Sequence, residues 1–476
     1  MQLHAENSML EQQLRDGLQL QKRSAQQRIE SNAERKQHLL NLKAMINDHR
    51  EALLDAVNRD YGNRSRHESL LAEIITATDD INSSIKHLKK WTKVQKRKVD
   101  LSMYFGGKNR LIPQPLGVIG LIVPWNFPIN LMFSQLSAVF AAGNKAMVKL
   151  SENSRHLAAL LIQLAPQYFK PEKLQIFDET GGVGIAFSKL PFDHIMFTGS
   201  GATGKKVMAA AAENLTPVTL ELGGKSPAVL DPDYSLTKAV ERIMFVKQFN
   251  AGQICTNVDY LFVHESQKDA FIQAATAWVK QHVPDIHSKD YTSIIDDRAF
   301  QRLSHTVSEA QEKGATVIYL NQQAADPVSR KFPVTLILNS NDLMEIDTRE
   351  TFGPILMVKT YREPEDVVNY IAERDRPLAF YPFSQNKALV NYYISHVMSG
   401  GVSVNDALFH VGQHDLPFGG VGASGMGHYH GYEGFLTFSK MRPVFYQAGF
   451  SSMKFLAPPY GNFANRMLNF LTRAKS

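Results

Sequence analysis

The run HIMFTGSGATGKKVMAAAA, residues 194–212, decides how the rest of the chain is read. Its first five residues, His194–Thr198, predict a short buried strand. Gly199-Ser200-Gly201-Ala202-Thr203-Gly204 follows, and Lys205–Ala212 then predicts a helix. A G-x-G-x-x-G turn between strand and helix lets the backbone approach a pyrophosphate, whose charge the free N–H groups at the helix start favour. Without those flanks the pattern is weak; with them it indicates a parallel, doubly wound sheet. Such a fingerprint also places an acidic residue about 20 positions on, against a ribose, and Glu221 lies 22 after Gly199. Glu221, however, sits in LELGGKSP, residues 220–227, a second strand-to-turn junction leading towards the single cysteine. There it suits the role of a base better than that of a ribose ligand.

Working outward, short apolar runs alternate with helical segments, the signature of βαβ units. Leu116–Val123 is a buried-strand run that ends in PWNFP, residues 124–128. Asn126 in that turn has two readings, a turn residue bonding its own backbone or an amide aimed at a developing oxyanion. Ala146–Lys149 is another strand, leading through Ser151 and Glu152 into a helix that begins near Ser154. Lys149 and Glu152 at a carboxyl end stand where ligands bind in doubly wound sheets, or they are surface charges. After Asp233 the pattern predicts a helix over Leu236–Asn250, a strand over Tyr260–His264, a helix over Gln267–His282, and strands near 314–319 and 332–338. Glu350-Thr351-Phe352-Gly353-Pro354 puts a carboxylate in a turn, and residues 400–405 and 417–425 are dense in glycine, which permits close backbone approach. Upstream, residues 8 to about 95 are helical in spacing, with Gly62 as a stop, and show no chemistry. Residues 99–113 predict a hairpin turning at Phe105–Asn109.

Cys255, in FNAGQICTN at residues 249–257, is the only cysteine among 476 residues. A thiolate attacks carbonyl carbon readily, yet a lone cysteine taken by itself reads first as a buried spare, and the other motifs have to shift that reading. One cysteine excludes a disulfide framework and a thiolate metal cage, so no metal is expected, and it fits a reducing compartment. With 44% hydrophobic and 21% charged residues the composition is that of a globular protein, and 476 residues call for more than one core. The net charge of +6 has no nucleic-acid module to go with it; the basic run Lys93–Lys98 reads as a solvated connector. No apolar stretch approaches the ~20 residues needed to span a bilayer, and the N-terminus lacks a secretory h-region, so a cytoplasmic protein is expected. The tail, residues 446–476, carries Phe450, Phe455, Leu468 and Phe470 among basic residues. It is read as docked on a partner subunit or on its own body, with a membrane-surface helix as the alternative.

Six separated motifs resemble, in order, the NAD(P)-dependent aldehyde dehydrogenase superfamily. They are PWNFP (124–128), MVKLSE (147–152), FTGSGATG (197–204), LELGGKSP (220–227), FNAGQICTN (249–257) and ETFGP (350–354). The ending LPFGGVGASGMGHYHGYEGFLTFS, residues 416–439, is similar to the class 3 branch and, within it, to bacterial coniferyl aldehyde dehydrogenases. The resemblance implies an α/β fold of Rossmann type for the cofactor domain, an α/β catalytic domain and a β oligomerisation arm. Its implied limits are 1–98 and 114–222 for the NAD-binding domain, 223–415 for the catalytic domain, 99–113 and 440–450 for the arm, and 451–476 for a tail. It implies Cys255 as nucleophile, Glu221 as general base, and Asn126 with the Cys255 backbone N–H as oxyanion hole. Lys149 and Glu152 become adenosine-ribose contacts, Gly199, Ser200 and Gly204 the phosphate turn, Glu350 the nicotinamide-ribose contact, and Phe352 a nicotinamide packing surface. The family often has Thr where this chain has Gly201, so the phosphate pose is not carried over.

The implied activity is NAD-dependent oxidation of an aldehyde to its carboxylate, with NADP left open, through a cysteine thiohemiacetal and thioester. Coniferyl-type aromatic aldehydes are the expected substrates, with fatty or general aromatic aldehydes as the alternative. Glu221 speaks against an acylating, CoA-dependent enzyme, which needs no base for hydrolysis. A catalytically silent binding protein on the same fold would be expected to have lost the cysteine or the base, and both are present. A homodimer is expected, without nucleic acid and without stable membrane insertion.

Overall fold

The structure is a computed structural model and describes residues 2–101, 104–180 and 182–475. Its first sheet runs Leu174–Phe177, Lys145–Lys149, Val118–Ile122, His194–Gly199, Val218–Leu222, all parallel, with Gly425–Met426 antiparallel at the edge. Val118–Ile122 and Lys145–Lys149 are buried throughout, as runs covered by helices on both faces must be. Taken in chain order the strands stand 3-2-1-4-5. The order reverses between Val118–Ile122 and His194–Gly199, and at such a switch point the carboxyl ends open into a crevice.

A second sheet has seven strands, in the order Thr316–Tyr319, Thr335–Leu338, Ile355–Tyr361, Val258–His264, Ser226–Leu230, Ala379–Phe383, Gly401–Val402. All of its pairings are parallel except that of Thr316–Tyr319 with Thr335–Leu338. Three of the motif turns feed the amino ends of its strands. Residues 223–225 precede Ser226–Leu230, residues 253–257 precede Val258–His264, and residues 350–354 precede Ile355–Tyr361. The catalytic candidates therefore lie between the carboxyl edge of one sheet and the amino edge of another.

The third sheet is antiparallel, with Lys108–Pro115 between Gln95–Arg97 and Ser439–Tyr446. Here the structure departs from the expected hairpin. Its first strand is Gln95–Arg97, paired Arg97 to Asn109, so the basic run read as a connector is an edge strand. Charged side chains blunt an exposed edge that would otherwise template further pairing. Ser102 and Met103 of the expected hairpin lie outside the described residues.

The N-terminal region is helical, with Gln2–Gln27, Asn32–Asp48, Arg50–Tyr61 and Thr76–Trp91 as its main helices, and Gly62 closes the third with φ 78°. Before Thr76 the backbone winds into a π turn, Leu70–Ile75, which carries the buried Glu73. The glycine turn also differs from expectation: the helix starts at Gly201, not Lys205, so Gly201–Gly204 forms its first turn. At the C-terminus the helix Asn462–Lys475 packs locally, Phe463 against Phe455, and leaves Phe463 and Phe470 exposed. Among the described residues no helix is long and apolar enough to cross a membrane.

Candidate active site

Two cavities meet at Cys255. A cleft of about 750 Å3 opens between the sheets and is walled by Asn126, Glu152, Gly199, Ser200, Glu221, Cys255, Glu350 and Phe352. On the other side lies a smaller chamber of about 210 Å3, walled by Phe127, Phe245, Phe249, Phe409, Phe418 and Tyr429. Asn126, Leu131 and Cys255 belong to both walls. Eight of the ten residues singled out from the sequence thus share one cleft. Lys149 does not line it: the ammonium is buried in an ion pair with Glu179. Gly204 does not line it either. A Cβ at Gly204 would stand 2.8 Å from Leu222, so this glycine serves the close packing of helix on strand. At Gly201 a Cβ would meet open space, so the departure from the familiar Thr there has no steric cause.

The cysteine loop is locally strained. After the helix Leu236–Gln248, three successive residues take left-handed backbone, Asn250 (φ 52°), Ala251 (φ 48°) and Gly252 (φ 71°). A non-glycine residue held there costs of order 1–3 kcal/mol, so neighbours must over-determine it. They do so through carbonyl oxygens. Asn257 Nδ2 donates to the carbonyls of Gly252 (2.7 Å) and Gly353 (3.3 Å), and buried Lys247 donates to that of Ile355 (2.8 Å). A Cβ on Gly252 would collide with the Gly353 carbonyl, so the cysteine and ETFGP turns touch backbone to backbone. Phe352, itself at φ 43°, packs edge-on against Trp125 of PWNFP at 5.5 Å. Lys225 of LELGGKSP pairs with buried Asp259 and donates to the Ile346 carbonyl at 2.7 Å, while Asp259 accepts from Thr351 N at 2.8 Å. Gly223 leaves the space that the Glu350 carboxylate fills. Four motifs distant in sequence are fastened into one body.

Asn126 is held from below by residues that the sequence did not mark. Its backbone carbonyl accepts from Arg64 Nη1 (2.6 Å), the Tyr61 hydroxyl (3.1 Å) and Asn250 Nδ2 (3.3 Å). Arg64 is fully buried beside the Tyr61 and Phe127 rings and pairs with Glu73 at 3.3 Å. Glu73 accepts from Asn130 N at 2.8 Å in the first turn of the helix Pro128–Ala142, where a carboxylate complements the free N–H groups. Glu68 accepts from Asn250 N at 3.0 Å and from the Thr292 hydroxyl at 2.7 Å. Burial pushes both carboxyls up to about 7, against the pull of the Thr292 hydroxyl and Arg64 on Glu68 and of Arg64 on Glu73. The Asn126 amide donates to the Gln253 carbonyl at 3.3 Å, which leaves its second N–H for the cavity. No spacing in a helical stretch singles out Arg64 or Glu73; their partners lie far along the chain.

Electrostatics at Cys255 favour neutral forms. The residue is half-buried, yet burial of the thiol pushes it up to about 12. Glu350 and Glu221 add to that rise, and the backbone N–H groups of Cys255 and Thr256 work against it. Burial raises Glu350 to about 8 and Glu221 well above the usual carboxylate range. Neither oxygen of Glu221 has a hydrogen-bond partner among the described residues, so the carboxyl is placed for a partner that comes from the cleft.

Comparison with known proteins agrees with this geometry. The pattern described as "Aldehyde dehydrogenase family" matches residues 21–444. A probable coniferyl aldehyde dehydrogenase of Pseudomonas aeruginosa is 43% identical over 436 residues, covering 91% of this chain and 91% of that protein. The coniferyl aldehyde dehydrogenase of a Pseudomonas sp. is 43% identical over 434 residues, covering 90% and 89%. Among solved structures, the substrate-bound state of Staphylococcus aureus AldH superimposes with a TM-score of 0.90 at 32% identity, covering 96% of this chain and 99% of that one.

Three outcomes are expected. Iodoacetamide should alkylate Cys255 in the cofactor-free protein at pH 7 at least about ten-fold more slowly than free cysteine, because little thiolate is present. At pH 9, where Glu350 is ionised, Glu350→Gln should alkylate several-fold faster, since a charge that raised the thiol is gone; mass spectrometry of the single cysteine reads both. Arg64→Met should lower the unfolding free energy by about 3–5 kcal/mol by stranding Glu73, and adding Glu73→Met should recover much of it in urea titrations.

Proposed function

The chain belongs to the aldehyde dehydrogenase family, and from that premise we propose that it oxidises aryl aldehydes of the coniferyl type to carboxylates with NAD, through a covalent adduct on Cys255. The observation that carries this reading is the position of Cys255 on the wall of both cavities, the polar cleft and the aromatic chamber. One side suits a dinucleotide and the other an aryl ring, with a single nucleophile between them.

The cleft residues fit NAD. The helix Gly201–Ala212 starts on its wall, and the Ser200 hydroxyl caps that helix, which leaves backbone N–H groups for a pyrophosphate. Glu152 stands exposed on the wall, where its carboxylate would accept a ribose hydroxyl and repel a 2′-phosphate, which favours NAD over NADP. Lys149 serves the same ribose only by sharing its ammonium with Glu179. Glu350 would hold the second ribose and Phe352 would pack beside the nicotinamide, which supplies the hydride acceptor.

In the proposed reaction Cys255 Sγ forms a bond to the aldehyde carbon, and its proton leaves to water of the cleft. The new oxyanion lies between Asn126 Nδ2 and the Cys255 N–H. That carbon gives up its hydride and becomes a thioester. Glu221 then takes a proton from a water, whose oxygen attacks the thioester carbon, and the C–S bond breaks to release carboxylate and restore the sulfur. Burial makes the Glu221 carboxylate, once ionised, a stronger base than an exposed one. The three-stranded sheet containing Lys108–Pro115 and Ser439–Tyr446 would pair two copies into a homodimer, and the cytoplasm is the compartment that suits an unpaired catalytic thiol.

NADH formation, followed by absorbance with coniferyl aldehyde, benzaldehyde and decanal, tests the reading. Coniferyl aldehyde should be preferred, Cys255→Ala should be inactive, and Asn126→Ala should lose about 10²-fold in kcat. Preference for decanal would move the substrate to fatty aldehydes with the chemistry intact. Binding of NAD without turnover of any aldehyde would overturn the enzymatic proposal.

A further inference from the structure

The aromatic chamber has one polar sector that the chemistry at Cys255 does not use. Thr76, Asp79 and Asp80 from the helix Thr76–Trp91 face His414 and His430 from the glycine-dense C-terminal segment. Asp80 accepts from His414 Nδ1 at 2.7 Å and also holds the hydroxyl of Ser134, which lies 2.8 Å from Asn130 Oδ1. The carboxylate is thus pinned by an adjacent helix, and it fixes the ring of His414 in turn. With Nδ1–H committed to Asp80, the free donor of His414 is Nε2–H, which has no partner among the described residues. The hydrogen bond to Asp80 raises His414 above its ordinary value, whereas burial lowers the neighbouring His430. His414 is half-exposed on the chamber wall.

We propose that His414, oriented by Asp80, is the specificity residue that recognises a phenolic hydroxyl on the aryl aldehyde. The assignment rests on the coniferyl-type reading above, whose substrates carry a 4-hydroxyl, and identifies the residue that reads that hydroxyl. The Nε2–H donates to the phenolic oxygen, and the exposed carboxylate of Asp79 accepts the phenolic O–H. An alkyl chain or an unsubstituted ring offers no acceptor and covers the Nε2–H donor without compensation, which is how a site built around a hydroxyl rejects an analogue that lacks it. His414 touches neither the cleft nor the reacting carbon, so its effect falls on binding.

Steady-state kinetics with saturating NAD on 4-hydroxycinnamaldehyde, cinnamaldehyde and decanal test the assignment in the wild type, His414→Leu and His414→Gln. Substrates differing by one oxygen isolate the contact, and comparing variants cancels the effect of that oxygen on carbonyl reactivity. The expected result is that His414→Leu raises KM for 4-hydroxycinnamaldehyde about ten-fold, the size of one hydrogen bond, while cinnamaldehyde stays within about two-fold. His414→Gln, which keeps a donor, should restore much of the difference. Equal losses on both aryl aldehydes in His414→Leu would overturn the proposal and leave the His414–Asp80 pair as a fastening of the loop to its helix. Equal KM values for the two aryl substrates in the wild type would overturn it as well, with the aryl reading intact. Turnover of decanal alone would remove the aryl reading itself.

Discussion

The carbonyl oxygen of Asn126 is the point on which the site depends. Three buried donors converge on it, from Arg64, Tyr61 and Asn250. They come from two pieces of chain: Tyr61 ends the helix Arg50–Tyr61, Arg64 lies in the turn just after it, and Asn250 belongs to the cysteine loop. Removing any one of them leaves the carbonyl with two donors, so the loss is that of one buried hydrogen bond, about 0.5–1.5 kcal/mol. The same knot sets the distance between the amide of Asn126 and the backbone of Cys255. Stability and catalytic geometry are therefore the same contacts.

That knot also explains why charges are buried where a simpler core would have apolar residues. Arg64 and Glu73 are both fully shielded from solvent, and such a pair rarely stabilises more than well-packed hydrophobes would. Its use here is directional. Glu73 must reach the first turn of the helix Pro128–Ala142, and the π turn at Leu70–Ile75 is what rotates it there. Lys247 does comparable work on the other side, donating to the carbonyls of Gly353 and Ile355 while burial lowers it to about 7.

How much of this could be read from the sequence follows from the range of each signal. The motif residues stand in turns at strand ends, punctuated by Gly and Pro, and local chemistry is enough to mark them. Asn126, Glu221, Cys255 and Glu350 meet in one cleft because sheet order brings strand ends together. Arg64, in the turn after Arg50–Tyr61, and Glu68 and Glu73, in the helical turns that follow, carry no such mark, because a buried charge in a local pattern is ambiguous until its partner is known. The edge strand Gln95–Arg97 was hidden for the opposite reason: its charges suit solvent, and only pairing with Lys108–Pro115 makes it a strand. Likewise Lys149 stands at the expected strand end, but its pairing with Glu179 depends on a loop with no local signature.

The position of Cys255 at the amino end of its strand, not the carboxyl end, has a physical consequence. The carboxyl edge of the first sheet presents a helix start whose partial positive charge suits an anionic ligand. The amino edge of the second sheet presents free N–H groups at the starts of its strands, and two of these, at Cys255 and Thr256, pull the thiol downward against burial and two carboxylates. A neutral resting thiol and neutral carboxyls can share a confined space that three anions could not. On the proposed mechanism charge would then need to develop only at the moment of attack, on an oxygen that the same N–H donors would face. In the proposed reaction the arrangement would keep the nucleophile quiet between turnovers and place its stabilising dipoles in advance, so that little rearrangement would remain when the oxyanion forms.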